Sequence, residues 1–249
     1  MKTVAIIQAR MGSSRLPGKV MLPLGGKPVI EQIVNRLGYC SNIDHIVVAT
    51  SSEIIDDKIE QWCRESCTSC FRGSLSDVLD RYYKAAKKFK ASNIVRITAD
   101  CPVIDPQIVD EVIKNFLDGK YDAYSLSGEF PDGLDCQVFK FTALERAWVE
   151  AKLPSEREHV GPYIEKNINK QFKIGGLEKF KNLSHLRWTL DEKDDYKLLK
   201  EIYNFLYQKD SIFTTSDILD LLEKNKNMID INSHIVRNEG YLKSIQNDG

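Results

Sequence analysis

Short apolar segments alternate with amphipathic segments along the first half of the chain, and this alternation restricts the fold more than any other feature. Three Val- and Ile-rich runs bounded by polar residues predict β-strands at Thr3–Ile7, His45–Ala49 and Asn93–Thr98. Apolar residues spaced three to four positions apart predict helices at Val29–Leu37, Ile55–Arg64, Val78–Phe89 and Gln107–Leu117. Strands that alternate with helices form parallel sheets with right-handed crossovers. We therefore expect an α/β, Rossmann-like layer fold with a mostly parallel sheet.

The alternation is less regular in the second half of the chain. Strand patterns occur there at Asp122–Leu126, Cys136–Phe141 and Leu183–Leu190. Helical patterns occur at Ala143–Ala151, Tyr196–Tyr207, Ser216–Leu222 and Asn232–Ile245. A chain of 249 residues is long enough to form one α/β domain with a sizeable core. We expect a single domain over residues 1–249, with a small lobe at about 122–180, where the pattern changes.

The composition excludes several classes of protein. With 42% hydrophobic residues, 29% charged residues and a net charge of -1, the chain reads as soluble and globular. A nearly neutral charge argues against a nucleic-acid-binding protein, although it is compatible with a local basic pocket. The N-terminal apolar run is too short for a signal peptide or a membrane span. We therefore expect a cytoplasmic protein that binds neither nucleic acid nor membrane.

The six cysteines do not form the framework of a small disulfide-rich protein, because the chain is too long for that class. Cys63, Cys67 and Cys70 lie close together, and the last two have the spacing of metal ligands. A structural zinc site needs a second such pair, whereas the remaining cysteines are scattered singly. We expect reduced, partly buried thiols.

The loop that follows the first strand candidate is rich in glycine, serine and cations. Residues 8–19 read Gln-Ala-Arg-Met-Gly-Ser-Ser-Arg-Leu-Pro-Gly-Lys. Glycines allow a tight turn in which several backbone N–H groups converge on an anion, and three cations supply countercharge: Arg10, Arg15 and Lys19. The P-loop pattern does not fit, because five residues separate Gly12 from Gly18 and Val20 follows the lysine. The loop predicts a phosphate site, the alternative being an ordinary βα loop with solvated charges.

Two aspartates directly follow strand candidates. Asp100 comes after the strand that ends at Thr98, and Pro102 restricts the turn that presents it. Asp191 comes after the apolar run that ends at Leu190. A carboxylate at this position lies on the edge of the sheet where α/β proteins bind ligands. Each aspartate could instead stabilise its loop or cap the following helix.

The loop sequence resembles a known family of enzymes. Residues 8–19, with Arg-Leu-Pro-Gly-Lys at 15–19, and Leu-Gly-Gly-Lys-Pro at 24–28 are similar to the cytidylyltransferases that make CMP-activated sugars. These are the CMP-Kdo and CMP-acylneuraminate synthetases. The resemblance is stronger to the spore-coat polysaccharide branch, in which Asp-Gly-Leu-Asp (132–135) and Arg-Glu-His-Val (157–160) also occur. It extends over nearly the whole chain.

The resemblance implies a fold, a reaction and partners. The fold is a three-layer nucleotidyltransferase fold, with a mostly parallel sheet and helices on both faces. The reaction is a Mg²⁺-dependent transfer of CMP from CTP to a sugar or sugar acid, with release of pyrophosphate, for a surface polysaccharide or glycan. The family also suggests a homodimer, with the lobe at about 122–180 binding the acceptor or forming the dimer contact.

The resemblance also assigns roles to individual residues. It implies that the loops after the first strands bind the nucleotide: Ala9, Arg10, Gly12, Ser13, Ser14, Arg15, Lys19, Thr50, Ser51, Ser74 and Asp77. It implies catalytic roles for Arg10, Lys19 and Asp100, and Mg²⁺ binding by Asp100 and Asp191. It implies acceptor binding by a third set: Asp132, Asp135, Gln137, Arg157, Glu158 and His159. CMP-Kdo synthetases carry Gly and Glu where Ala99 and Cys101 stand here, which leaves the acceptor sugar open.

Simpler interpretations remain for some of these residues, and other functions remain for the chain. Asp77 fits a helix cap, and the charged run 157–159 fits a solvated helix start. A glycosyltransferase that consumes a sugar nucleotide is one alternative, but the Asp-x-Asp motif typical of that chemistry follows none of the predicted strands. A non-catalytic nucleotide-binding homologue is the other, against which the retained Asp100 and Asp191 argue.

Overall fold

The computed structural model describes residues 1–208, 212–237, 239–246 and 248. The strands are β1 (Thr3–Gln8), β2 (Pro23–Leu24), β3 (Lys27–Pro28), β4 (His45–Ser51), β5 (Ser69–Gly73), β6 (Asn93–Thr98), β7 (Ala123–Ser127), β8 (Gln137–Lys140) and β9 (Ile174–Glu178). The helices are α1 (Val29–Leu37), α2 (Asp57–Glu65), α3 (Val78–Lys88), α4 (Pro106–Asp118), α5 (Phe141–Glu150), α6 (Pro154–His159), α7 (Pro162–Lys166), α8 (Lys193–Leu206), α9 (Thr215–Lys224) and α10 (Glu239–Gln246). Short 3₁₀ turns occur at Lys19–Met21, Ile54–Asp56 and Lys226–Ile231.

A seven-stranded sheet in the order β5-β4-β1-β6-β8-β7-β9 forms the centre of the molecule. β1 pairs in parallel with β4 and β6, and β4 pairs in parallel with β5. β8 runs antiparallel to both of its neighbours, and β7 pairs in parallel with β9. Six strands therefore run in one direction and β8 runs in the other, so the predicted mostly parallel sheet is confirmed.

Alternate side chains of the central strands enter two hydrophobic cores, one on each face of the sheet. Along β1, Ala5 and Ile7 pack in the core that includes α1, α2, α4, α8 and α9. Val4 and Ile6 pack in the opposite core, with α3, α5 and α7. Each fully buried aliphatic side chain of this kind stabilises the fold by about 1.5–3 kcal/mol. The period-two alternation thus produces the predicted three-layer arrangement, with helices on both faces.

Four strands were not predicted, namely the two-residue strands β2 and β3 and the sheet strands β5 and β9, and one predicted strand is wrong. β5 and β9 lie at the edges of the sheet and are partly exposed, so they lack the buried apolar pattern that identifies β1, β4 and β6. The segment Leu183–Leu190 forms only an isolated bridge, between Arg187 and Asp132. Its amides bond to loops instead, Trp188 N to Asp132 O at 2.7 Å and Leu190 N to Asp100 O at 2.8 Å. The apolar residues signalled burial, not sheet pairing.

The predicted helix Asn232–Ile245 is wrong over its first part. Residues 232–234 form a turn, the helix α10 begins only at Glu239, and residue 238 lies outside the described residues. The physical reason lies in Asn232, whose Nδ2 donates to Arg187 O and to Asp195 Oδ1, both at 2.9 Å. This buried side chain ties the segment to α8, so the backbone turns there before the helix begins.

All six cysteines are unbridged, and Cys40, Cys63, Cys101 and Cys136 are buried. Residues 122–180 add β7, β8 and β9 to the central sheet, and their role as an acceptor-binding or dimerisation lobe stays a prediction. None of the helices in the described ranges combines the length and the apolar character that crossing a bilayer requires.

Candidate active site

Lys19 lies between two carboxylates at the edge of the sheet where β1 and β6 end. Its Nζ donates to Asp100 Oδ2 at 3.0 Å and to Asp191 Oδ1 at 2.6 Å. Asp100 follows β6 closely, and Asp191 immediately precedes the N-terminal cap of α8. The three residues are widely separated in the sequence, so the fold alone makes them neighbours. The structure therefore brings together the predicted catalytic lysine and both predicted metal ligands.

The electrostatics of this cluster stabilise the charged forms of Lys19 and Asp100. Burial by itself lowers the pKa of Lys19, but Asp100 and Asp191 outweigh it and raise that pKa above its usual range. Burial by itself raises the pKa of Asp100, but the Lys19 ammonium and a hydrogen bond from Thr98 lower that pKa to about 2. Carboxylates and ammonium groups are stabilised by opposite charges at this range. At neutral pH the site therefore holds the Lys19 ammonium against the ionised Asp100 carboxylate.

Asp191 is surrounded by cations. Besides Lys19, Arg15 Nη2 lies 3.0 Å from Asp191 Oδ2, and Arg15 Nε lies 3.4 Å from Glu192 Oε1. Arg187 Nη2 lies 3.4 Å from the same Oδ2 atom. Since Arg15 and Lys19 both belong to the loop after β1, that loop is tied to the start of α8. The loop cations are thus held in place by the carboxylates.

A buried aspartate that the sequence analysis did not single out fixes the shape of the loop. Asp56 Oδ1 accepts a hydrogen bond from Met11 N at 2.7 Å, and its Oδ2 accepts one from Ser51 Oγ. Met11 O in turn accepts from Ser13 N at 3.0 Å and from Gly18 N at 2.9 Å. Asp56 therefore connects the end of β4 to the loop after β1. In the sequence Asp56 lies in the first turn of the predicted helix Ile55–Arg64, where an aspartate is common and does not indicate a contact with another loop.

The other residues predicted to bind phosphates lie on the surface of this loop. Gly12 and Ser14 are exposed, and a Cβ built on Gly12 has no heavy atom within 4 Å. Arg10 is also exposed, and its charge acts on Arg81 and His159, whose pKa values it lowers in addition to the larger effect of burial. The exposed face of the loop thus combines a glycine, a serine and an arginine side chain that all face solvent.

The predicted nucleoside-binding loops lie beside it. Thr50 and Ser51 are the buried end of β4, and Ser51 is bonded to Asp56 as described. Ser74 accepts hydrogen bonds from Asp77 N at 3.0 Å through Oγ and from Arg81 Nη1 at 2.7 Å through its carbonyl oxygen. Ala9 is buried, and its N–H donates to Ala49 O at 3.1 Å. These hydrogen-bonded residues lie at the edge of the sheet beside the loop after β1.

Asp77 and Arg157 were predicted to contact different substrates, and the structure joins them to each other. Arg157 Nε lies 3.1 Å from both oxygens of Asp77, and its Nη2 donates to Asp77 Oδ2. The remaining Arg157 Nη1 donates to Trp148 O at 2.7 Å. Asp77 also caps α3 by accepting from Asp80 N at 2.9 Å. The pair therefore connects α6 to the start of α3.

The predicted acceptor residues form two groups. Asp132, Asp135 and Gln137 lie on the loop before β8 and at its first position, close to the segment that carries Arg187. Asp132 Oδ2 lies 2.8 Å from Arg187 Nη1, and Asp135 Oδ2 accepts from Gly133 N at 3.1 Å. Burial and the charge of Asp135 raise the pKa of Asp132 to about 7. The two carboxylates therefore repel each other in a poorly solvated place.

The second acceptor group lies on α6 and contacts the C-terminal helix. Glu158 Oε2 accepts from Ser244 Oγ at 3.0 Å. The ring of His159 packs edge-on against Tyr241, with the centroids 4.9 Å apart. Burial lowers the pKa of His159, so the imidazole is neutral at pH 7.

Arg187 and Asp195 form a buried support for Asp191 that sequence reasoning missed. Arg187 Nε and Nη2 donate to the two oxygens of Asp195 at 2.9 and 3.0 Å. Asp195 Oδ2 also accepts the backbone N–H of Asp191 and of Glu192, both at 2.9 Å. The signal available in the sequence was the spacing of Glu192 and Asp195, which is that of a helix capping box.

Comparisons with known proteins identify the family of this chain. A family described as cytidylyltransferase matches residues 4–234. The spore coat polysaccharide biosynthesis protein SpsF of Bacillus subtilis is 34% identical over 228 residues, which cover 88% of this chain and 93% of that protein. A solved cytidylyltransferase structure from Leptospira borgpetersenii superposes with a TM-score of 0.88 at 36% identity, over 95% of this chain and 100% of that one. The match to the family and to SpsF confirms the resemblance found in the sequence.

A more distant structure shows the fold alone. The CMP:2-keto-3-deoxy-manno-octonic acid synthetase, whose structure was determined in complex with CTP, superposes with a TM-score of 0.62 at 18% identity. The alignment covers 82% of this chain and 99% of the synthetase. The three-layer sheet architecture is therefore shared with nucleotidyltransferases that differ extensively in sequence.

Proposed function

Because the chain belongs to the cytidylyltransferase family and is thus a nucleotidyltransferase, we propose that it transfers CMP from CTP to a sugar or sugar acid and releases pyrophosphate. The observation that carries the proposal is the position of Lys19 between Asp100 and Asp191, at the base of a loop that exposes further cations. Displacement at the α-phosphorus is accelerated mainly by fixed charges that stabilise the transition state and by alignment of the reactants. This site contains charges of that kind.

In this proposal the loop after β1 binds the triphosphate. Arg10, Arg15 and Lys19 neutralise the phosphates, and the amides of Gly12–Ser14 donate to phosphate oxygens. Guanidinium groups suit this role because two of their N–H bonds match two phosphate oxygens. No covalent protein nucleophile is required, so none of the cysteines or histidines needs a catalytic role. Thr50, Ser51, Ser74 and Asp77 would border the base and the ribose.

The carboxylate pair fits a divalent cation. Oxygens of Asp100 and Asp191 already converge on one cationic atom, Lys19 Nζ, at 3.0 and 2.6 Å. Over the described part of the chain no group of three or more His, Cys, Asp or Glu side chains is arranged to hold a metal ion. Mg²⁺ is commonly bound by one or two carboxylates together with substrate phosphate oxygens and water. When bound, Mg²⁺ would lower the pKa of the acceptor hydroxyl and screen its approach to the phosphate.

The acceptor is proposed to be a sugar used for a surface polysaccharide or glycan. The support is the 34% identity to a spore coat polysaccharide biosynthesis protein over most of both chains. Asp132, Asp135, Gln137 and His159 are the proposed contacts to the acceptor, whereas the Arg157–Asp77 pair would hold α6 beside them. A homodimer and a cytoplasmic location stay predictions, which light scattering and cell fractionation test.

The proposal is tested by measuring pyrophosphate release from CTP and Mg²⁺ with a panel of sugar acids, sugar phosphates and neutral sugars. We expect release that depends on one class of acceptor and that falls at least about 100-fold in Lys19→Met, because the substitution removes a charge from the phosphate site. Lys84→Met is the matched control, since Lys84 is an exposed lysine that pairs with Asp80 on α3. Release of a nucleotide from a sugar nucleotide would instead indicate a glycosyltransferase. CTP binding without any turnover would indicate a non-catalytic homologue.

A further inference from the structure

Arg96 is a cation in the acceptor region to which neither the sequence motifs nor the proposed reaction assigns a role. It lies on β6, on the strand that leads to Asp100, and faces Gln137 of β8 in the antiparallel register. Its neighbours Val95 and Ile97 point into one core and Ile94 into the other, so Arg96 shares a face with Ile94. That face carries α6 and α7, which follow the predicted acceptor loop. Arg96 therefore belongs to the acceptor side of the sheet.

The guanidinium of Arg96 is only partly satisfied by the protein. Nη1 donates to Gln137 Oε1 at 2.9 Å. Nε is buried and, among the described residues, has no hydrogen-bond partner. The amide of Gln137 is itself oriented by donating to Glu165 on α7. A buried N–H group without an acceptor is costly, so a ligand that accepts a hydrogen bond from Arg96 Nε would gain affinity there.

Two other arginines near the predicted acceptor residues are already bonded to carboxylates. Arg157 uses its Nε and both terminal nitrogens on Asp77 and Trp148 O. Arg187 is bonded to the carboxylates of Asp132 and Asp195. Arg96, by contrast, has no carboxylate of the described residues within ion-pair distance. Arg96 therefore keeps a planar edge, formed by Nε and Nη2, to which no described residue is bonded.

The chemistry around Arg96 suits a polyhydroxylated ligand. Asp135 and Glu165 lie near enough for the Arg96 charge to oppose the effect of burial on their pKa values. The buried Nε2 of His159 has no hydrogen-bond partner among the described residues and lies within reach of the same field. Carboxylates, an amide and a neutral imidazole bind sugar hydroxyls, and a guanidinium binds a carboxylate or phosphate through paired hydrogen bonds.

We propose that Arg96 binds an anionic group of the acceptor, a carboxylate or a phosphate, and thereby selects an acidic acceptor over a neutral sugar. This inference rests on the proposed function and assigns the substrate class of the same site. Besides its proposed contact to the acceptor, Gln137 then positions Arg96, because its side-chain oxygen fixes Nη1 while the rest of the guanidinium faces the ligand. Arg157, which the resemblance placed among the acceptor-binding residues, is bonded to Asp77 instead.

The test measures binding by calorimetry with three probes, each with and without CTP and Mg²⁺. The probes are 3-deoxy-manno-octulosonate for a sugar carboxylate, mannose 6-phosphate for a sugar phosphate, and mannose for a neutral sugar. We expect one anionic probe to bind the native protein and to bind Arg96→Gln about 10- to 100-fold more weakly, since charge-assisted hydrogen bonds are lost. Arg146→Gln is the matched control, because Arg146 is an exposed arginine that pairs with Glu150 on α5. The anionic probe that binds more tightly shows whether the anionic group of the acceptor is a carboxylate or a phosphate.

A second variant protects the test against misfolding of the central strand. Gln137→Glu places a carboxylate 2.9 Å from the Nη1 atom, so the protein would neutralise Arg96 itself. We expect the anionic probe to bind this variant at least about 10-fold more weakly, with CTP affinity unchanged, and Arg96→Lys to recover part of the affinity lost in Arg96→Gln.

Three results would overturn the inference. They are equal affinity of the anionic probe for the native protein and Arg96→Gln, binding of mannose as tight as that of the anionic probes, and failure of both anionic probes to bind the native protein. Failure of the proposed function is distinguishable, because it appears as the absence of any effect of CTP on the native protein. The affinities of the native protein and of Arg96→Gln for the anionic probes are also compared without nucleotide, so that this comparison does not depend on CTP binding.

Discussion

Removal of the Asp195 carboxylate is expected to destabilise the protein more than any single surface change. Asp195 is completely buried and accepts two hydrogen bonds from Arg187, two from the backbone of residues 191 and 192, and one from Asn232. In Asp195→Ala the Arg187 guanidinium stays buried and loses its bidentate partner, which costs about 3–5 kcal/mol. For a chain of this size 1 kcal/mol corresponds to about 2–4 °C, so the melting temperature should fall by about 6–20 °C.

The assay is urea denaturation at neutral pH together with a thermal melt, and Asp217→Ala is the matched control. Asp217 occupies the same capping-box position on α9 and accepts from Thr214 N at 2.6 Å, but it is exposed to solvent. Loss of such a cap costs about 1 kcal/mol. If Asp195→Ala lost no more stability than Asp217→Ala, the account of a buried support beneath Asp191 would be refuted.

Three further predictions concern the same region. Gly133 has φ +102°, and a Cβ there would lie 2.6 Å from neighbouring backbone atoms. Gly133→Ala should therefore lose about 1–3 kcal/mol of unfolding free energy in the urea titration. Gly12→Ala is the control and should lose far less, because a Cβ on Gly12 meets no heavy atom within 4 Å. Asp56→Ala leaves the buried Met11 N–H unpaired, so the variant should lose about 1–3 kcal/mol of unfolding free energy. It should also bind CTP more weakly in calorimetry. Unchanged CTP affinity would contradict the role of Asp56 in shaping the loop after β1. Burial lowers the pKa of His159, so the folded state binds this proton less readily than the unfolded state, and stability should fall as the pH drops below about 6.5. His159→Gln should flatten that decline, and an identical pH profile would count against it.

The parts of the fold that could be predicted from the sequence are those in which local pattern and burial agree. β1, β4 and β6 are apolar on both faces because helices cover the sheet on both sides, and their runs were therefore visible. The run Leu183–Leu190 is equally apolar, yet its backbone bonds to loops on either side, and no local property distinguishes that case from a strand. The edge strands β5 and β9 carry too little apolar surface to be recognised.

The candidate site divides in the same way. Glycines, cations and the two aspartates could be chosen from one sequence because their residue types suit phosphate and metal chemistry. The rule that strand ends share an edge predicts that Lys19 and Asp100 lie close together. Asp191 follows no strand, and its neighbour Leu190 is held there by a hydrogen bond from its N–H to Asp100 O. The Arg187–Asp195 pair, Asp56 and Arg96 could not be chosen, because their importance comes from partners distant in the sequence. For the same reason the pairing of Arg157 with Asp77 was not anticipated.

The most direct test of the central claim is a thermal melt of the native protein with each of the four nucleoside triphosphates, with and without Mg²⁺. A ligand present at about one hundred times its dissociation constant stabilises the folded state by about 2.7 kcal/mol, which corresponds to a rise of about 5–11 °C here. The account predicts this rise with CTP and Mg²⁺ and little or none with ATP, GTP or UTP. A rise with another nucleotide instead of CTP, or no rise with any of the four, would contradict it.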